Sequence, residues 1–167
     1  MCTDACPWGV GAALFLDGVA VEYFHVELSK FDFELFQHSV GDAAGQQTWE
    51  AFAILLALRQ WSCHWQRRRA TLEVRADNVS ALTMLTCFRV KGRGLTLIAR
   101  EIALDMASGT YRPAVCAHSP GVAHKVADML SRKYVPGYEY RLPSCLLEAK
   151  ETLIPERSAG YFTTLEL

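Results

Sequence analysis

Between Gln46 and Trp65 the chain reads "QQTWEAFAILLALRQWSCHW", twenty residues with no Gly or Pro and apolar on nearly every face. A helix without a polar stripe cannot lie on a surface. It has to be packed from more than one side, typically between a sheet and a second helix. The rest of the chain must therefore supply both layers. Polar residues open this helix, with Thr48 expected as its cap. One carboxylate, Glu50, falls in the first turn and shares its face with Ala53, Ile54 and Ala57 by helical spacing.

The sheet is legible around it. "WGVGAALFL" (8–16) reads as a buried strand with small residues where another layer comes close, and "LDGVAVEYFHVEL" signals a hairpin that turns at Asp17-Gly18. Residues 29–45 form a connection with room for one short element. "ATLEVRA" (70–76) is a strand feeding the helical stretch "DNVSALTMLTCF"; after "VKGRG" comes an amphipathic helix from about Leu95 to Met106. "YRPAVCAH" is a short strand, Ser119-Pro120-Gly121 a turn, and "VAHKVADMLSR" a helix carrying Asp128. This order predicts an α/β fold: a mixed sheet, antiparallel at one edge with parallel additions, flanked by helices.

At 167 residues the chain suits one domain and a tail. The domain is expected over residues 1–133. Pro136, Pro143 and Pro155 then interrupt a tail, 134–167, laid over the domain, with "SCLLEAKETL" as one helix within it. Hydrophobic residues make up 51% and charged residues 21%, which argues against disorder. No apolar run approaches the roughly 20 residues of a membrane span, and the N-terminus lacks the pattern of a secretory signal. An intracellular setting, cytoplasmic or nuclear, is expected. The six cysteines form no CxxC pair and have no neighbouring histidines at zinc-ligand spacing, so they read as reduced core thiols. A formal net charge of −1 carries no overall nucleic-acid signature. Local basic groups (Arg67 to Arg69, Lys91 and Arg93 around Gly92, Arg132 and Lys133) read as helix ends complementing the macrodipole.

Four acids stand out against this background: Asp4 in "CTDAC", Glu50 in the apolar helix, Asp77 at the end of a strand, and Asp128 amid Val126, Ala127, Met129 and Leu130. In α/β sheets, strand ends and helix starts converge on one crevice. Carboxylates gathered there repel one another unless a cation neutralises them. Oxygen donors without Cys or His suit Mg²⁺ or Mn²⁺, and a pair of such ions ~4 Å apart can stabilise the attacking and leaving oxygens of a phosphodiester. Each acid alone has an ordinary explanation as turn former, helix-dipole partner, cap or solvent-facing residue.

In order and context the chain resembles the ribonuclease H family, most closely the ribonuclease H domain of retroelement reverse transcriptases of the LTR or DIRS type. "TDACPWGVGAAL", "WEAFAILLALRQW", "ADNVSAL" and "HSPGVAHKVADMLSR" carry the resemblance, which spans roughly residues 2 to 133, with "ADMLSR" its most specific piece. The resemblance implies a five-stranded mixed sheet in the order three-two-one-four-five. It maps the family's metal-binding acids onto Asp4, Glu50, Asp77 and Asp128. It also implies two Mg²⁺ ions, replaceable by Mn²⁺, that cut the RNA strand of an RNA–DNA hybrid. The hybrid and an upstream reverse transcriptase domain of the same polyprotein would be the partners, in a retroelement particle and without a membrane.

His124, where relatives often carry asparagine, lies four residues before Asp128 on the same helix face and is a candidate for proton transfer or product release, with His118 as its rival. Lys91, Arg93 and Asn78 are candidate nucleic-acid contacts, although "FRVKGRG" replaces the basic helix of cellular relatives. Trp8 is a candidate stacking residue. Cys6 stands where the family often has serine, and Met1-Cys2 leaves little strand before Asp4, as expected of a segment cut from a longer polyprotein. A non-catalytic tether of the same fold is one alternative. An integrase-like transferase is another, disfavoured by the order Asp, Glu, Asp, Asp. A third is an oligomerisation domain built on Trp49, Trp61 and Trp65.

Overall fold

The computed structural model describes residues 1–65, 70–76, 83, 90–109, 111–115 and 122–165, with backbone alone at 70, 111–115 and 122–124. Three strands come first: β1 (Cys2–Cys6), β2 (Gly9–Leu16) and β3 (Val19–Glu27). They form an antiparallel meander in which Asp4, Gly11 and His25 stand opposite one another. The β2–β3 turn is Asp17-Gly18, with positive φ of 50° and 81°; Gly18 takes that conformation without a Cβ penalty. Helix α1 (Lys30–Phe36) follows, opened by a reciprocal capping box between Ser29 and Asp32. Next come α2 (Gln46–Gln60), β4 (Ala70–Val74), α3 (Arg93–Ser108), β5 (Tyr111–Val115), α4 (Val122–Ser131) and the two-residue β6 (Lys150–Glu151).

The strand order differs from the expected single sheet of five. One sheet runs β1-β2-β3-β6 and a separate parallel pair is β4-β5. Among the described residues the two are joined by one parallel bridge, Cys2 to Arg75, with Thr3 N donating to Arg75 O and Arg75 N to Met1 O, each at 3.0 Å. The outer edge of β3 is taken instead by the tail, whose β6 pairs Glu22 with Lys150 and Tyr23 with Glu151 in parallel register. An open edge is a free ladder of donors and acceptors, and the tail covers it.

Helix α2 is buried on all sides. Trp49 through Leu58, and Trp61 after it, are at most 2% exposed. One face meets Ala5, Val10, Ala12 and Phe24 of the sheet, and the other Ile98, Ala99 and Ile102 of α3. Thr48 is not its cap. A 3₁₀ turn (Ala43–Gly45), capped by Asp42, runs straight into the helix at Gln46, and the Thr48 hydroxyl pairs with His38 Nε2 at 3.3 Å. Glu50 is consequently the fifth helical residue, beyond the first turn.

The tail is bound by buried charge. Arg157 reaches the fully buried Asp32 through Nε and Nη2 at 2.7–3.0 Å and donates to Glu27 O. The buried Glu101 accepts from Arg59 and from the backbone of Thr163 and Thr164, while Phe162, fully buried, packs on Phe31, Phe36 and Phe52. "SCLLEAKETL" is not a helix. Its first residues make a 3₁₀ turn (Ser144–Leu146), and Lys150–Glu151 is drawn into the edge ladder of β3. The described cysteines divide: Cys2 and Cys6 are buried, whereas Cys63 and Cys145 are exposed rather than core residues, and Cys87 and Cys116 lie outside the described residues.

His25 knots β3, the end of α4 and the tail together. Its Nδ1 lies 2.9 Å from Tyr134 Oη, and its Nε2 lies 2.8 Å from Lys133 Nζ and 3.0 Å from Glu151 Oε1. Burial and the Lys133 charge hold the imidazole pKa below its ordinary 6.5, opposed by Glu151. Protonation therefore favours the unfolded chain, whose histidine takes up its proton first as pH falls. Urea midpoints are expected to be highest above pH 6.5 and to fall as pH drops below it; the His25→Gln chain should show a flatter profile over that window. Arg157→Ala, which strands the Asp32 charge in the core, is expected to cost about 3–5 kcal/mol in urea unfolding. The double change Asp32→Leu with Arg157→Met should recover most of it.

Candidate active site

Strand β1 distributes its side chains between two layers. Ala5 faces α2, while Cys2, Asp4 and Cys6 face α4. Glycines in β2 bring α4 this close. A Cβ on Gly11 would run into Leu130 Cβ and the Ser131 backbone nitrogen and sit 2.7 Å from Ala127 O; one on Gly9 would sit 2.8 Å from Ser131 O. The small residues of "WGVGAAL" are thus where the neighbouring layer touches the sheet.

Asp4 is 5% exposed, mid-strand and opposite Gly11. Ser131, fully buried in the last turn of α4, donates from Oγ to Asp4 Oδ2 at 2.6 Å. The same oxygen lies 2.9 Å from the backbone carbonyl of Asp128, one turn earlier. Asp128 is partly exposed, and Arg132 Nε holds its Oδ1 at 2.6 Å. That hydrogen bond raises the Arg132 pKa.

Glu50 approaches from the opposite layer. It is 2% exposed, and the Gln46 amide, one helical turn earlier, donates to Glu50 Oε1 at 2.7 Å and to Ala5 O at 2.6 Å. One side-chain nitrogen thereby ties Glu50 to the strand residue next to Asp4. Cys6 Sγ donates to Ser131 O at 3.1 Å, and burial pushes its pKa up.

The structure thus ties Asp4 to α4 beside Asp128, and ties Glu50 to the next residue of β1. Asp77, Asn78 and His118 lie outside the described residues, as does the side chain of His124. Among the described residues, no group of three or more His, Cys, Asp or Glu is placed to hold a metal ion. Lys91 and Arg93 are exposed around Gly92, whose φ is 99°. Arg93 begins α3. A cation there opposes the macrodipole, so this pair is not the dipole-complementing helix end expected from its sequence. Gly94 packs against Thr48 and Phe36, which sets these cations beside the start of α2. Trp8 lies against Gly41, where a Cβ would meet its ring at 3.1 Å.

Sequence reasoning missed Gln46 and Ser131. Both sit one helical turn from an acid already singled out, Gln46 four residues before Glu50 and Ser131 three after Asp128, and that spacing was the available signal. Compared with protein-family models, with curated proteins and with solved structures, the chain matches none of them.

Gly11→Ala is expected to push α4 off the sheet and to cost about 1–3 kcal/mol or more, as overpacking against backbone does. Chemical denaturation followed by circular dichroism measures it; an unchanged midpoint would contradict the close seating.

Proposed function

We propose that the chain is a metal-dependent endonuclease that hydrolyses the RNA strand of RNA–DNA hybrids, as the ribonuclease H domain of a retroelement reverse transcriptase polyprotein. The observation that carries this reading is the burial of two carboxylates, Asp4 and Glu50, tied to adjacent residues of one strand, with Asp128 a single turn from the serine that grips Asp4. Removing carboxylates from water is costly. Two carboxylates kept out of water in the layers on either side of β1 are candidate donors to a cation. Asp77 belongs to the proposed set through its sequence position: the parallel bridge Cys2–Arg75 lies two residues before Asp4 on one segment and two before Asp77 on the other.

The donor chemistry fits a hard divalent ion, since Asp4, Glu50, Asp77 and Asp128 offer oxygen alone. Two Mg²⁺ ions, when bound, would stabilise the attacking and leaving oxygens of the phosphodiester. The chain's own part is orientation. Gln46 and Ser131, neutral donors, fix Glu50 and Asp4, and Arg132 holds Asp128. His124, on the helix that carries Asp128, is the proposed proton carrier. Lys91 and Arg93, exposed beside the start of α2, with Asn78, would meet phosphates of the hybrid. The upstream polymerase domain would supply the remaining grip. Among the described residues no helix is long and apolar enough to cross a membrane.

A second reading, a non-catalytic domain that tethers the hybrid, draws on the lack of a three-donor metal group among the described residues. One assay separates the two. The chain is incubated with labelled hybrid, double-stranded RNA and duplex DNA, with and without Mg²⁺. Mg²⁺-dependent cleavage confined to the RNA of the hybrid is expected, and Glu50→Gln and Asp77→Asn should each abolish it with unchanged circular dichroism. Hybrid binding without hydrolysis at any Mg²⁺ or Mn²⁺ concentration favours the tether.

A further inference from the structure

Ser131 is the last residue of α4, fully buried, and its hydroxyl has one proton for two acceptors. Asp4 Oδ2 lies at 2.6 Å and the Asp128 carbonyl oxygen at 2.9 Å. A carboxylate is the stronger acceptor and the shorter contact, so the proton goes to Asp4. The Asp128 carbonyl, three residues back in the same helix, is an alternative acceptor of the kind serine commonly uses inside helices. A serine needing only local satisfaction would have taken that bond. This one is instead aimed across the interlayer contact, at a strand 127 residues away in sequence.

The rest of the contact holds it there. Gly9 and Gly11 let the backbone of Ser131 down onto β2, and Cys6 Sγ donates to Ser131 O. The serine is fixed at both its backbone and its hydroxyl. The next residue, Arg132, bonds the carboxylate of Asp128.

We propose that Ser131 is the positioning residue for Asp4: its hydroxyl occupies Oδ2 and fixes the rotation of the carboxylate, so that a divalent cation meets a preset oxygen. This deepens, and rests on, the reading of Asp4 as a metal-binding acid. Partners of this kind, one bond away from a metal ligand, typically contribute 10–100-fold to metal affinity or activity. Ser131→Ala removes the donor. Ser131→Cys replaces the hydroxyl by a slightly larger group that is a far weaker donor, so it weakens the hydrogen bond without opening a cavity. Cys6→Ala removes the neighbouring tie to the same helix end without touching Asp4.

The test titrates Mn²⁺ into the full chain by calorimetry, without nucleic acid, for the parent and the three variants. Thermal unfolding and the Mg²⁺ dependence of hybrid cleavage run in parallel. Both Ser131 variants are expected to fold, to bind Mn²⁺ about 10-fold or more weakly, and to need correspondingly more Mg²⁺ for half-maximal cleavage. Cys6→Ala, which leaves the serine hydroxyl on Asp4 in place, is expected to weaken Mn²⁺ binding less than either Ser131 variant. A parent that binds and cleaves, beside Ser131 variants within twofold of it, overturns the positioning role and leaves the nuclease reading standing. Equal weakening in Cys6→Ala also overturns it, because the effect would then belong to helix seating. If Ser131→Ala does not fold, Ser131→Cys carries the comparison; if neither folds, the serine is structural and the proposal fails. A parent that neither binds Mn²⁺ nor cleaves hybrid removes the nuclease reading itself.

Discussion

The closeness of α4 to the sheet is the constraint from which the site follows. Packed layers normally stand apart by the depth of the side chains that fill the space between them. Here Gly9 and Gly11 remove those side chains from β2, and backbone meets backbone. Only at that distance can a side chain as short as serine reach across to Asp4. The approach also buries Asp4 and leaves the Asp128 backbone carbonyl and Asp4 sharing one serine hydroxyl. The two glycines therefore act on the acids without touching them.

The second layer works by length instead. Glu50 lies on a helix that sits against the other face of β1, and the longer Gln46 side chain spans the gap to Ala5. Strand β1 is gripped from both sides within three residues, Asp4 by α4 and Ala5 by α2. A carboxylate held this way loses little further freedom when it meets a charge, which is the physical content of preorganisation.

Much of this was legible in the sequence. The apolar helix between two layers, the Asp17-Gly18 hairpin and the small residues marking a close layer contact all follow from period, composition and turn chemistry, which are local properties. What escaped is non-local. No periodicity reveals that the edge of β3 is filled by Lys150 and Glu151, more than 120 residues later, or that residues read as one tail helix are divided between a turn and a strand. Thr48 had the chemistry of a cap, but the preceding 3₁₀ turn had already started the helix. Among the acids, residue type and order singled out Asp4, Glu50 and Asp128 one by one. Which partner orients each could be read only from the contact between layers.

The Asp32–Arg157 pair has a consequence in time. Asp32 caps α1 early in the chain, and its counter-charge arrives 125 residues later, in the same closing segment that delivers Phe162 to the core. During synthesis, at the 5–20 residues per second of a ribosome, the early strands and α2 emerge while that carboxylate is still obliged to stay in water. The core over α1 is incomplete until the segment carrying Arg157 and Phe162 is available to it. Until that segment docks, Asp32 lacks its counter-charge and the faces of Phe31, Phe36 and Phe52 that Phe162 covers stay open to water.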